Sequence, residues 1–309
     1  MTPLVDHIDW QSRPAARVFS PNHCGESLPI SDDFFSDHWS GKPLTCLKCS
    51  VSFDRWKLTV ESIMRNHMRS DAYVFISGKS TSFNFRLQPN KSFQYSLQDL
   101  GIPSDSKVVY VNYTPNAGGL FPAEFTGNLA LTSERFDPVT VVGGKLGQSS
   151  DIASETEVCC SITYLPGGVD AVDFQLQEAV DHYCHNQFAN CIIPSHTAFE
   201  ISLSRLVQTY LLPAVKKESV EKFSRIAFEH KLNVMLPLIA HAMKVETMHD
   251  EILGSIKQLQ KMRNGLAHKG APTHSFDASE MAKLISGSLF GVSYTRYLLG
   301  MLPNSVVIE

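Results

Sequence analysis

The sequence contains no apolar run of about 18 residues, so no membrane-crossing helix is expected. It also lacks a basic leader followed by an apolar stretch, the mark of a secretion signal, and we read the chain as cytoplasmic. Cysteines are too few and wrongly placed for a disulfide framework. There are seven in 309 residues, with Cys159 and Cys160 adjacent and Cys184 and Cys191 at helical spacing, so reduced thiols are the expectation. The excess of one sign of charge is small as well. A formal net charge of −4 gives no global attraction to a polyanion, and a nucleic-acid partner would need a local basic patch. No GxSxG, HExxH or dinucleotide fingerprint occurs. "VVGGKLG" fails as a phosphate loop, because Val139 stands where the first glycine belongs and Leu146 where Ser or Thr is required.

What is present divides in two. Residues 1–50 are rich in Pro, Ser, Asp and Gly without clear periodicity, and read as a loop-rich leader. From Arg55 to Arg69, Trp56, Val60, Ile63, Met64 and Met68 recur at helical spacing. Short strand-like segments follow: "AYVFIS" at 72–77, "SFNFRLQ" at 82–88 with Phe83, Phe85 and Leu87 alternating, "KVVYVNY" at 107–113 and "EVCCSITY" at 157–164. Close-spaced Gly and Pro make 114–150 loop-like. This predicts a β-rich N-terminal domain over 1–165, suited to a sensor or targeting role.

After Pro166 to Gly168 the periodicity becomes helical, predicting an all-helical domain over 168–309 and an α+β chain overall. The first helix is expected from about Ala171 to Ile192, ending before Pro194. The second starts with Ser195 as N-cap and ends before Pro213. Further helices are expected around 216–231, 234–243 and 246–269. The last opens at Asp277 and Glu280, spaced as a capping box, and runs to about Leu302.

Two groups of residues carry chemistry. "CLKC", Cys46 to Cys49, has the knuckle spacing of a zinc site, and Cys24 with His23 or His38 would complete four ligands of a structural zinc; free thiols in a loop are the alternative. The other group is "RNGLAH" at 263–268. An arginine followed by a histidine four to six residues on occurs three times, at Arg17 to His23, Arg225 to His230 and Arg263 to His268, so spacing decides nothing. Only the third has Asn264 directly after the arginine and small Gly265 and Ala267 around it, near the end of a penultimate helix. Lys257, Lys261, Asn264 and His268 fall within about 60° of one another, opposite Leu259, Met262 and Leu266. No acidic residue occurs between Ile252 and Phe276, which suits a phosphate backbone, although most basic helix faces are merely solvated.

Here the sequence resembles the HEPN family, helical domains of many prokaryotic toxins, anti-phage and CRISPR-associated ribonucleases, whose signature is an Arg, a polar residue often Asn, and a His. The resemblance covers roughly 170–309. It implies a metal-independent endoribonuclease, without a catalytic cofactor, in which the RNA 2′-hydroxyl attacks the neighbouring phosphorus. His268 would transfer protons, Arg263 would stabilise the phosphate and Asn264 would orient either. Lys257, Lys261 and Lys269 would bind RNA. Arg263 is the awkward member, because five residues on a straight helix place it about 140° from His268. A loosened turn at Gly265 or a two-fold homodimer would bring them together, and Glu200 is the expected counter-ion for a partly buried Arg263. A toxin or anti-phage effector, restrained by a regulatory or antitoxin partner, is the implied role. Lys269 occupies the position where some relatives carry a modifiable Tyr. The competing expectation is a non-catalytic HEPN-like module for dimerisation or RNA binding, with function in the N-terminal domain.

Overall fold

The computed structural model describes residues 18–19, 21, 24–31, 33–65, 78–116, 120–124, 137–145, 155–213, 215, 226–269 and 276–301. The strand expected at 72–77 and most of the helix expected at 216–231 lie outside these residues, as does His23. The chain is mixed α and β, with a small sheet region and a helical C-terminal part. Contacts divide it into two compact units, one drawn from 69–169 and the other from 18–68 with 170–309.

Of the leader, the part from Val18 onward therefore belongs with the helices and not with the β-rich unit, which differs from the expectation that 1–165 forms one domain. It is also more regular than its composition implies. Two minimal hairpins pair β1 (Val18–Phe19) with β2 (Leu28–Pro29) and β3 (Leu44–Thr45) with β4 (Ser52–Phe53). Between them lies α1 (Phe34–Trp39), and after them α2 (Arg55–Met64), whose N-cap Asp54 accepts a hydrogen bond from the Lys57 amide at 3.2 Å. Trp56, Val60 and Ile63 are buried as their spacing predicts, while Met64 is exposed. Elements of two to six residues are too short to show a period, which is why they escape a pattern reading.

In the β-rich unit, two three-stranded antiparallel sheets share one core. One has β10 (Thr156–Leu165) between β5 (Lys79–Leu87) and β7 (Lys107–Pro115). The other has β9 (Val139–Lys145) between β6 (Ser92–Tyr95) and β8 (Leu120–Glu124). Alternation puts Phe83, Phe85 and Leu87 inside, with Phe83 opposite Cys160 and Phe85 opposite Val158 of β10, in one core with Ile162 and with Val139 and Val141 of β9. β8 and β9 correct the loop-like reading of 114–150. Gly143 and Gly144 masked β9, yet Gly143 is needed there: a Cβ would strike the Gln88 carbonyl oxygen.

The helical unit continues with α3 (Ala171–Cys184), α4 (Phe188–Leu211), α5 (Phe228–His230), a π-helical turn (Lys231–Met235), α6 (Leu236–Ala242), α7 (Asp250–Lys269) and α8 (Ala278–Met301). The break between the first two falls at Asn186, whose φ is 57°, and not at Pro194. Pro194 and Ser195 lie inside α4, so Ser195 is no cap. Asp277 does cap α8, accepting from the Glu280 amide at 2.7 Å.

α8 is buried around nearly its whole circumference from Met281 to Thr295, so it must be covered on every side. Gly287 and Gly291 admit α7 and α4: added Cβ atoms would lie 2.5 Å from Ser255 Cβ and 2.7 Å from Ile256 Cδ1, and 2.8 Å from the Phe199 ring. The leader and α2 cover another side. Phe35, His38, Trp39 and Trp56 all present rings edge-on to Phe290, at 5.0, 4.9, 6.3 and 5.4 Å. Trp39 also meets Tyr294 at 4.7 Å and donates from Nε1 to Ser293 Oγ at 2.7 Å. Toward the C-terminal end of α8, Arg296 pairs with the buried Asp173 carboxylate at 2.8 Å.

Candidate functional site

α7 holds its first half in the core and carries the candidate motif on its second. Ile252, Ser255, Ile256 and Leu259 are buried, and none of residues 260–268 is. Met262 and Leu266 are half-buried; Lys257, Lys261, Arg263 and His268 are exposed, and Asn264 is partly exposed. The motif side chains thus stand at the accessible end of a helix anchored at its other end. Lys269 is the last helical residue.

Arg263 donates from Nη1 to Asn264 Oδ1 at 3.3 Å, so two of the three polar residues of the motif already meet. His268 does not join them. The helix is continuous through Gly265, where an added Cβ would meet nothing within 4 Å, so no close contact demands glycine there. The loosened turn is absent, and about 140° of helix rotation separates Arg263 from His268 within one chain.

Glu200 is not the counter-ion of Arg263, contrary to expectation. It makes no ion pair with Arg263, and its Oε2 lies 3.5 Å from Nδ1 of His196, one helical turn away on α4. The reason is exposure: water already solvates Arg263, so no carboxylate is required. His196 is 3% exposed, stacks obliquely on Phe228 at 4.7 Å, and has neither ring nitrogen hydrogen-bonded. Burial lowers its pKa, Glu200 opposes this, and the Arg263 charge lowers it further. Lys231, in the π-helical turn, is buried and donates to Ser204 Oγ at 3.0 Å; burial lowers its pKa and Glu200 counters. His196 and Lys231 were missed in the sequence. The i, i+4 spacing of His196 and Glu200 was the available signal for the first, and none existed for the second.

The thiols converge. The ligand atoms of Cys24, Cys46 and Cys49 lie within 4.8 Å of one another, a group that can hold a metal ion. Each hairpin supplies part of it: Cys24 lies between β1 and β2, Cys46 and Cys49 between β3 and β4. Left-handed residues shape both turns, Gly25 at φ 80° and Ser50 at φ 59°. In the second, the Cys46 amide donates to the Val51 carbonyl and the Ser50 amide to the Cys46 carbonyl, both at 2.9 Å. The Val51 amide hydrogen-bonds the Cys49 thiol and favours its thiolate, but desolvation and the adjoining Cys24 and Cys46 thiols outweigh it and raise the Cys49 pKa. His38 does not join this group, which corrects its assignment as a ligand. Its ring is committed to Phe290 and Trp39.

No family model, curated protein or solved structure matches the chain. No helix among the described residues is long and apolar enough to cross a membrane.

Proposed function

We propose that the helical unit is a HEPN-like domain that cleaves RNA as a homodimer. One observation carries this reading: Arg263, Asn264 and His268 stand on the accessible end of α7 with Lys257 and Lys261 beside them and no acidic residue among them. Lys257, Lys261 and Lys269 attract the phosphate backbone. Arg263, held by Asn264, supplies fixed donors to the phosphate oxygens as charge builds on them. His268 transfers the proton while the 2′-hydroxyl attacks phosphorus and the 5′-oxygen leaves, giving a cyclic phosphate and a 5′-hydroxyl. The scheme uses no metal. Because Arg263 and His268 face different sides of a straight helix, the second copy supplies one of the pair.

The role that fits is a toxin or anti-phage effector, with the β-rich unit as its sensor or targeting part and a separate regulatory partner. The same separation of Arg263 and His268 favours a second reading, a domain that binds RNA or dimerises without cutting. Full-length protein incubated with end-labelled RNA distinguishes them. His268→Ala should lose cleavage about 100-fold or more and keep RNA binding. Equal cleavage by this variant rejects the catalytic assignment, and binding without cleavage by the wild type selects the second reading.

We also propose that Cys24, Cys46 and Cys49 are thiolate ligands of a structural zinc ion, separate from the RNA chemistry.

A further inference from the structure

Resting on the zinc reading of the thiol group, we infer that the metal acts as a clasp that holds the leader over the Phe290–Tyr294 face of α8. The sulfur geometry supports the metal. Cys24 Sγ and Cys46 Sγ are 3.7 Å apart. Two thiolates on one tetrahedral zinc, each at about 2.3 Å, stand about 3.8 Å apart, whereas a disulfide needs about 2.05 Å. Neither cysteine is in a disulfide, and the two sulfurs stand at the separation that zinc requires.

What the metal closes gives its role. Cys24 and Cys46 are 22 residues apart in sequence, and α1 lies wholly within that loop. α1 has six residues, too short to be stable by its own hydrogen bonds. It brings Phe35, His38 and Trp39 to Phe290 and Trp39 to Tyr294, both of which are essentially inaccessible. Flanking hairpins of two-residue strands add only a few ladder bonds. Arg55 strengthens the return: it is buried, donates to the Lys42 carbonyl, lies 3.9 Å from Asp37 and sits 5.4 Å over the Phe34 ring. Joining the two hairpins through one ion closes the loop at both ends of α1 and removes most of the chain freedom that its undocking would release.

The test uses the full chain in two steps. Zinc content is measured by atomic absorption and by Co²⁺ substitution, where one metal per chain and a thiolate-to-cobalt charge-transfer band are expected. Zinc is then removed by a chelator, with limited proteolysis, tryptophan emission and amide exchange as readouts. The clasp predicts cleavage within 24–55 about tenfold faster or more, a red shift of tryptophan emission, and retained protection in α4 and α7. Re-addition of Zn²⁺ should reverse all of these, and Cys24→Ser/Cys49→Ser should reproduce the stripped state. If no zinc or cobalt binds, the zinc reading fails and the clasp with it. If metal binds but its removal leaves proteolysis and emission unchanged, the zinc reading stands and the clasp is overturned. Loss of protection in α4 and α7 together with the leader also overturns it, since the metal would then support the whole unit.

Discussion

Arg263 and His268 lie on one unbroken helix, and while the Arg263 guanidinium rests on Asn264, His268 faces about 140° away. A site that needs both must therefore be completed from outside the chain, and this turns the proposed ribonuclease into a question of assembly.

Mixing two inactive variants answers it. If each active site takes Arg263 from one copy and His268 from the other, Arg263→Ala and His268→Ala heterodimers retain one intact site. A mixture allowed to exchange subunits should recover about a quarter of wild-type cleavage, given random pairing in which half the dimers carry one of two sites. No recovery, with heterodimers verified by native mass spectrometry, would overturn the composite site.

The glycines of α7 and α8 should separate sharply in stability measurements. Gly287→Ala places a methyl group against Ser255, with 2.5 Å between Cβ atoms, and is expected to cost about 1–3 kcal/mol. Gly254→Ala and Gly265→Ala on α7 meet nothing within 4 Å and should stabilise by about 0.5–1 kcal/mol. Urea denaturation of the three variants measures this. Should Gly265→Ala abolish RNA cleavage while raising stability, bending at that residue belongs to the mechanism.

Acid should loosen the leader before it unfolds the helices. Burial against Phe290, with Arg55 and His249 adding to it and Asp54 opposing, lowers the His38 pKa from 6.5 to about 4. The folded state thus binds fewer protons than the unfolded one between these values. The stability involved is fully present above about pH 6.5, declines as pH falls, and is lost below about pH 4, with an upper limit of about 3 kcal/mol. Thermal melts from pH 7.5 to 4 should show this slope. His38→Gln should flatten much of it, leaving the part due to His196, whose pKa is lowered in the same direction. An unchanged slope in His38→Gln rejects the assignment.

The sequence by itself determined the elements whose side chains repeat with a clear period. β5 alternates Phe83, Phe85 and Leu87 into its core, α7 buries Ile252, Ile256 and Leu259 on one stripe, and Asp277 caps α8, because each of these faces is specified by residues a few positions apart. The exposed position of His268 follows from the same helical period, whereas Arg263, which that period sets toward Ile252 and Ile256, is exposed against expectation. Tertiary structure alone decided which distant segments meet. Nothing in residues 34–56 indicates that they cover Phe290, and the i, i+4 spacing of His196 and Glu200 permits their pairing without showing that Arg263 is left to solvent. The "CLKC" spacing indicated a knuckle, but only folding brings Cys24 to it and sends His38 elsewhere. The physical reason is range: backbone period and caps are encoded locally, whereas the partner of a buried ring, charge or thiol is set by packing across the whole unit.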